Sequence, residues 1–341
     1  MRRRCICARA AAAAYAYCRA QLTAQVKIIA LERFCSVGYD GENFIHHFNN
    51  EVKMETSSEK DVSPISQWYD MMTRMFPDDR LTFINYGYLG KNDDFGWIKE
   101  EDIEQKCSAN LIRTILGDAD LRGKKVLEVG SGRGGNCSYL ARYAGAASVT
   151  GLDFCPAHIE FCNQVHRLDG LSFIDGDATN LPFADEEFDV VVNIESSHCY
   201  PDMNRFGQEV RRVLKKEGLF FYADTMKGDN QDALSEKDKI GVDFFTNVLE
   251  QHHAMIRNAQ FKVEDHVDIS EGVARAFDSE QGHLKHVLKA LVNEKKQQHS
   301  LLPPDVYHAF DTMLHFFDDS GLKAYKNGHL AYKFWRLKKT A

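Results

Sequence analysis

The chain has 341 residues, a formal net charge of -8, and 44% hydrophobic and 27% charged residues. That balance argues against a nucleic-acid groove, where clustered cations must meet phosphates, and no stretch interleaves basic with aromatic side chains. No apolar run approaches the ~20 residues of a membrane-crossing helix, and the length suits one large α/β core plus an extension.

The N-terminal segment is chemically distinct. Arg2, Arg3, Arg4, Arg9, Arg19 and Lys27 are basic, alanine dominates positions 8 to 14, and no acid precedes Glu32. Such a segment resembles a mitochondrial transit peptide; a non-essential extension, or a start that is not the native one, is the competing reading. A cytoplasmic location is expected otherwise. Asn49 to Ser63 is polar, contains Thr56-Ser57-Ser58 and precedes Pro64, as a linker does. Residues 1–62 are therefore expected to be extension and linker, and 63–341 the working domain. Ser63 suits an N-cap and Pro64 a first helical turn. Ile65, Trp68, Met71, Met72, Met75 and Phe76 follow at helical spacing, either as a core stripe or as a substrate lining. In Tyr86-Gly87-Tyr88 a glycine separates two aromatics, a poor pattern for core.

Val126 to Gly135 carries most of the information. An apolar strand runs through Glu128 into Gly130-Ser131-Gly132-Arg133-Gly134-Gly135 and a helix at Asn136 to Tyr143. Glycines permit positive φ and close backbone approach, and the helix start presents unpaired N–H groups to an anionic ligand. A nucleotide-type cofactor is the first expectation. Gly130, Gly132 and Gly135 also fit the dinucleotide fingerprint, with Asp153 near the ~20-residue offset of its ribose acid. Glu128 separates the readings. A carboxylate there suits an ammonium group, which the methionyl part of S-adenosylmethionine carries and NAD does not.

The downstream elements repeat the alternation. Ala147 to Leu152 reads as a second strand ending in Asp153, whose carboxylate suits two ribose hydroxyls. Leu171 to Ile174 is a third, followed by Gly176-Asp177-Ala178, with Asp177 for the adenine amino edge. Phe188 to Ile194 is a fourth, ending in Asn193-Ile194-Glu195-Ser196-Ser197-His198. Helices at Pro156 to Leu168 and Asn204 to Lys216 alternate with them, so the sheet should be mostly parallel with right-handed crossovers. Ligands in such sheets bind beyond the strands' carboxyl ends, where Glu128, Asp153, Asp177, His198 and Asp224 all fall. Phe261 to Ile269 and Leu330 to Leu337 are the sixth and seventh strands. The long segment between them, with helices at His283 to Glu294 and Pro304 to Leu314 and with Phe310, Phe316 and Phe317, is either a cap over an acceptor site or extra packing on the sheet. The nine cysteines lack C-x-x-C pairs, as expected of free thiols without zinc. His46-His47 and His252-His253 read as solvated surface histidines.

This order of acid, glycine loop, ribose acid, Gly-Asp-Ala and polar fourth-strand end resembles class I S-adenosylmethionine-dependent methyltransferases with a type 11 domain. Phe83-Ile84-Asn85-Tyr86-Gly87-Tyr88, the run Leu181 to Val191, Glu195-Ser196-Ser197-His198-Cys199-Tyr200-Pro201 and Gly328 to Lys333 are similar to the phthiotriol/phenolphthiocerol dimycocerosate O-methyltransferase group and relatives acting on natural products. The resemblance runs from about Pro64 to the C-terminus, strong over Val126 to Asp224 and weak over Thr225 to Asn327. It implies a Rossmann-like, doubly wound α/β fold with seven strands, the last antiparallel, and a helical cap at about 271–327. It implies S-adenosylmethionine held by Glu128, Gly130, Ser131, Gly132 and Gly134, by Asp153 and Phe154, and by Asp177, Ala178, Asn193 and Glu195. Tyr86 and Tyr88 would form a flap over it.

Methyl transfer from a sulfonium is catalysis by alignment and water exclusion, but an aliphatic hydroxyl, with a pKa near that of water at about 16, needs a base. His198 and Asp224 end adjacent strands, where the carboxylate can orient the imidazole, and the resemblance to natural-product sugar O-methyltransferases with a similar Ser-x-His segment implies a catalytic role for this pair of positions. The expectation is O-methylation of a small or lipid-like hydroxyl. Two alternatives stay open: C-methylation of a sterol- or quinone-like carbon with His198 or Glu195 as base, and a protein that binds the cofactor without turnover. No metal site and no nucleic-acid partner are expected.

Overall fold

The computed structural model describes residues 69–70, 72–74, 76–77, 79–230, 232, 234, 247–278, 283–298 and 314–340. The basic segment, the linker, Ser63, Pro64, Ile65, Trp68, Met71, Met75, His46, His47 and residues 304–313 with Phe310 lie outside the described residues.

Seven strands form one sheet: β1 (Lys125–Val129), β2 (Ser148–Asp153), β3 (Leu171–Asp175), β4 (Phe188–Ile194), β5 (Leu214–Lys227), β6 (Phe261–Asp268) and β7 (Leu330–Lys339). Their order is β3-β2-β1-β4-β5-β7-β6. The first five are parallel, and β7 runs antiparallel between β5 and β6. The central strands are covered on both faces, which is why Val126-Leu127 and Val190-Val191-Val192 read as unbroken apolar runs. Leu127, Val191, Phe206, Val210, Phe220, Tyr222 and Trp335 belong to one core cluster. Because the chain winds outward in opposite directions from β1 and β4, the crevice beyond their carboxyl ends is where this fold holds ligands.

The main helices are α1 (Lys106–Leu116), which precedes β1, and α2 (Gly135–Arg142), α3 (Pro156–Val165), α4 (Met203–Val213), α5 (Leu249–Asn258), α6 (Ser270–Asp278), α7 (His283–Gln298) and α8 (Gly321–Lys326). Two are shorter than the sequence pattern suggests. α3 stops at Val165 because His166 leaves helical geometry and its ring Nε2 meets the Arg133 carbonyl at 2.8 Å. α4 stops at Val213, not Lys216, because Leu214 pairs with Phe188 and opens β5. Between β6 and β7, α6 packs on α8, whereas α7 lies on α1 and is tied by Arg80 to Glu294 at 3.2 Å. The seventh strand extends to Lys339.

Candidate active site

The glycine loop is stitched to β2 by its own backbone: Gly130 and Ser131 N–H both donate to the Leu152 carbonyl, at 2.8 and 3.0 Å. Gly130, Gly132 and Gly134 have φ of 74, 51 and 79°, which disfavours any other residue. Space is equally tight. A Cβ on Gly130 would sit 2.3 Å from Ser196 Oγ, so the β4 turn lies directly against the loop. α2 begins at Gly135, so the helix start lies beside these glycines, with the Gly135 N–H itself donating to the Thr82 carbonyl at 3.2 Å.

Asp153 ends β2 with its Oδ2 on the Gly132 N–H at 2.7 Å and its Oδ1 on the Cys155 N–H at 2.9 Å and His158 Nδ1 at 3.1 Å. Burial works to raise its pKa, but His158 and these donors hold it below the ordinary value, so the carboxylate is ionised. Glu128 has no exposure; its two oxygens accept from Asn136 Nδ2 at 2.9 Å and the Cys137 thiol at 2.8 Å. Burial pushes it up to about 7, against those hydrogen bonds. Asn193 is fully buried: its amide donates to the Val129 carbonyl at 2.8 Å. Asn193 Oδ1 and Ser131 Oγ are buried with no partner among the described residues. Asp177 is exposed and its Oδ1 takes the Thr179 N–H and hydroxyl at 2.7 and 2.8 Å, with Ala178 buried beside it. Phe154 is half-buried between Asp153 and α3.

Glu195 stands at the end of β4 with φ 53°, a strained backbone for a side chain this size. Its carboxylate accepts the Tyr86 N–H at 3.0 Å and the Tyr332 hydroxyl at 2.8 Å. Burial, reinforced by Asp224, pushes it up to about 8. The two tyrosines of Tyr86-Gly87-Tyr88 diverge. Tyr86 turns its ring among Phe277, Phe316, Phe317 and Tyr325, at centroid distances of 5.2 to 6.5 Å. It is therefore packed where the sequence pattern argued against core. Tyr88 instead lies on Gly272 of α6, and its N–H donates to the Cys107 carbonyl at 2.9 Å.

His198 and Asp224 meet as the strand ends predict. His198 Nδ1 lies 2.7 Å from Asp224 Oδ1, and its backbone N–H donates to Oδ2 at 3.0 Å. Thr225 N–H and the Ser197 hydroxyl also donate to this carboxylate, which has no exposure. Burial alone would lower the imidazole, but Asp224 and Cys199, through charge and hydrogen bonding, together outweigh it and hold His198 well above the usual histidine range. Asp224 is held below the ordinary carboxylate range by the same pairing against its own burial.

The sequence reading missed Ser197, Tyr222, Tyr332 and Tyr69. Tyr332 was visible only as part of the closing strand, and Ser197 as a filler between Ser196 and His198. Tyr69 packs its ring 5.7 Å from His158, and the charges of Cys199, Glu195, Asp153 and Asp224 add to burial in raising its phenol. His252 requires a correction. It is not a surface histidine but has no exposure, with Nδ1 2.5 Å from the Tyr222 hydroxyl and its ring stacked on Trp335. Among the described residues no His/Cys/Asp/Glu cluster is arranged for a metal ion, and no helix is long and apolar enough to cross a membrane.

Residues 127–222 match the family model described as methyltransferase domain. The chain is similar to phthiotriol/phenolphthiotriol dimycocerosates methyltransferase of Mycobacterium tuberculosis, 46% identical over 171 residues, which are 50% of this chain and 63% of that protein. It is also similar to the fatty-acid O-methyltransferase of Mycolicibacterium smegmatis, 45% identical over 156 residues, 46% of this chain and 57% of the relative. The alignments thus span about three fifths of these relatives' length. Among solved structures, the cyclopropane synthase MmaA2 from Mycobacterium tuberculosis superposes with a TM-score of 0.61 at 14% identity, covering 80% of this chain and 95% of that one. Geranyl diphosphate C-methyltransferase from Streptomyces coelicolor gives 0.57 at 17%, covering 82% and 97%. At those identities the likeness is one of fold.

Proposed function

We propose that this chain transfers a methyl group from S-adenosylmethionine to a hydroxyl of a lipid-like acceptor, with His198 as base and Asp224 orienting it. The buried His198–Asp224 pair, one turn from the residue that packs on Gly130, is the observation that carries the reading. The residues fit the cofactor: the loop glycines leave room for a ligand's backbone contact, Asp153 is an ionised acceptor for ribose hydroxyls, and Ser131 Oγ and Asn193 Oδ1 are buried polar atoms awaiting a partner. When bound, S-adenosylmethionine supplies a methyl group already activated on a sulfonium. Glu128 would face its ammonium group, and the Gly176-Asp177-Ala178 turn its adenine. The names of the relatives, one acting on phthiotriols and one on fatty acids, support an acceptor of lipid character.

In the free protein His198 holds its proton at neutral pH, so it acts as a base only on the alkaline side or once a neighbouring cation disfavours the imidazolium. His198→Ala should lower kcat by about 10²–10⁴-fold with little change in cofactor affinity. In the wild type kcat should rise with pH through an inflection above 6.5. Retention of most activity by His198→Ala, with a flat pH profile, overturns the assignment.

A second reading is favoured by the protonated state of His198: an acceptor that arrives as a carboxylate would pair with the imidazolium and need no base. The rate with such an acceptor should then fall as pH rises through the same inflection, the opposite sign from a hydroxyl acceptor. C-methylation with Glu195 as base would require that residue ionised, which is only half complete near pH 8.

A further inference from the structure

Behind the pair, a run of buried polar groups extends from Asp224 to α5. His252 Nδ1 lies 2.5 Å from the Tyr222 hydroxyl, Tyr222 lies 2.7 Å from Ser197 Oγ, and Ser197 Oγ reaches Asp224 Oδ2. His252, Tyr222, Ser197 and Asp224 all have no exposure. A proton count gives the chain one direction. Asp224 is ionised and only accepts, so the Ser197 hydroxyl donates to it. Ser197 oxygen must then accept from the Tyr222 hydroxyl, and Tyr222 oxygen from an N–H on His252 Nδ1. The other tautomer would leave Ser197 and Tyr222 oxygens 2.7 Å apart with no proton between them. It would also bury an unpaired Nε2–H, whereas the assigned tautomer leaves only an acceptor lone pair on Nε2, which has no partner among the described residues. Burial lowers His252 to about 4, so the ring is neutral and can take this tautomer. Trp335 fixes it there by stacking on both His252 and Tyr222, with interplanar angles of 13 and 23°.

We propose that Tyr222 and His252 are positioning residues: they fix the Ser197 hydroxyl onto Asp224 and thereby set how firmly Asp224 holds the proton of His198. This rests on the His198 reading only for its catalytic consequence. Each donor to Asp224 withdraws charge from the carboxylate, and hydrogen-bond chains strengthen their members cooperatively. Weakening the chain therefore leaves Asp224 more basic and His198 harder to deprotonate. The charged and titratable groups felt by His198 or Asp224 include Cys199 on the same turn, Glu195 at the end of β4, Tyr222 from β5, His252 from α5, Tyr325 from α8, Tyr332 from β7, and Tyr69 and Tyr86 from the segments before α1.

The test is an NMR titration of the His198 imidazole in the full chain, with the cofactor product S-adenosylhomocysteine as the probe of site integrity. Ser197→Ala should move the His198 inflection upward by about one pH unit, the size of a charge-assisted hydrogen bond. Tyr222→Phe and His252→Leu should move it upward by a smaller amount. His252→Asn, whose amide N–H can stand at the Nδ1 position, should restore it. Affinity for S-adenosylhomocysteine should stay within about threefold in each variant, since none faces the glycine loop. An unmoved inflection in Ser197→Ala and Tyr222→Phe, with the wild-type inflection raised, overturns the positioning role. Should the inflection move as expected while the pH profile of methyl transfer does not follow, the positioning role stands and the base assignment fails.

Discussion

Glu128 joins a fold requirement to a ligand requirement in one side chain, and Glu128→Gln separates them. Glutamine is close to an isostere of the protonated acid: its carbonyl can still accept from Asn136 Nδ2. Burial raises Glu128 from 4.5 to about 7, a shift of 2.5 units, which at 1.36 kcal/mol per unit is about 3 kcal/mol. A group whose folded-state pKa is raised contributes its stability fully below the unfolded value and loses it as pH rises through the folded value. Wild type should therefore lose up to about 3 kcal/mol between pH 4.5 and 8, a loss that Glu128→Gln escapes. Urea denaturation should show the variant more stable than wild type by about that amount at pH 8.5, and no more stable at pH 4.5. For a domain of this size the difference corresponds to a Tm higher by about 6–12 °C. An equal gap at both pH values would refute the reasoning, because the difference would then come from packing. Cofactor binding reads the second role: if the carboxylate meets an ammonium group, wild-type affinity for S-adenosylhomocysteine improves as pH rises towards about 7. In Glu128→Gln this pH dependence disappears.

Three further outcomes are expected. Asp153→Ala removes an ionised acceptor and should weaken S-adenosylhomocysteine binding at least tenfold by calorimetry, since charge-assisted hydrogen bonds are worth about 1.5–3 kcal/mol each; unchanged affinity, or NADH binding by the wild type, counts against the cofactor assignment. Gly130→Ala forces a Cβ to 2.3 Å from Ser196 Oγ at a φ of 74°, so it should abolish binding as well, and normal affinity would mean that the loop is not the ligand cradle. Phe277→Ala opens the ring cluster around Tyr86 and should raise KM for a lipid-like acceptor with cofactor affinity unchanged; the reverse pattern would place Tyr86 with the cofactor.

The fold was legible because its two signals are local. Apolar runs at Val126, Val149 and Val190 had to be strands covered on both faces, and glycines and acids at their ends had to gather at the crevice. What was not legible depends on partners distant in sequence. The His252-His253 doublet reads as surface on any helix, and only Trp335, 83 positions later, and Tyr222, 30 earlier, make it a buried stack. The end of α4 was misread for the same reason: Val213-Leu214-Lys215-Lys216 has an acceptable helical pattern, and pairing of Leu214 with Phe188 overrides it. The roles of Tyr86 and Tyr88 differ because one faces Glu195 and the other Gly272, a distinction that a Tyr-Gly-Tyr motif does not carry.

The charges around His198 also explain why the site needs burial rather than exposure. Asp224, with no exposure, keeps the imidazole charged in the free protein, and Glu195 is kept largely neutral near pH 7 by its own burial and by Asp224. The free site therefore holds about one positive and one negative charge in this corner, a neutral arrangement that can stay dry. A cationic ligand entering beside it disfavours the imidazolium and favours the loss of that proton. If His198 is the base, as proposed, its readiness depends on the methyl donor: with the imidazole raised well above its ordinary range in the free protein, loss of its proton would follow entry of the sulfonium. The neutral product S-adenosylhomocysteine lacks the sulfonium charge. Product binding should accordingly leave the His198 inflection nearly where it stands in the free protein, whereas binding of the sulfonium form should lower it. Calorimetry in buffers of different ionisation enthalpy distinguishes the two: proton release with S-adenosylmethionine near the inflection and much less with S-adenosylhomocysteine is the expected result, and equal release for both ligands would break the coupling argued here.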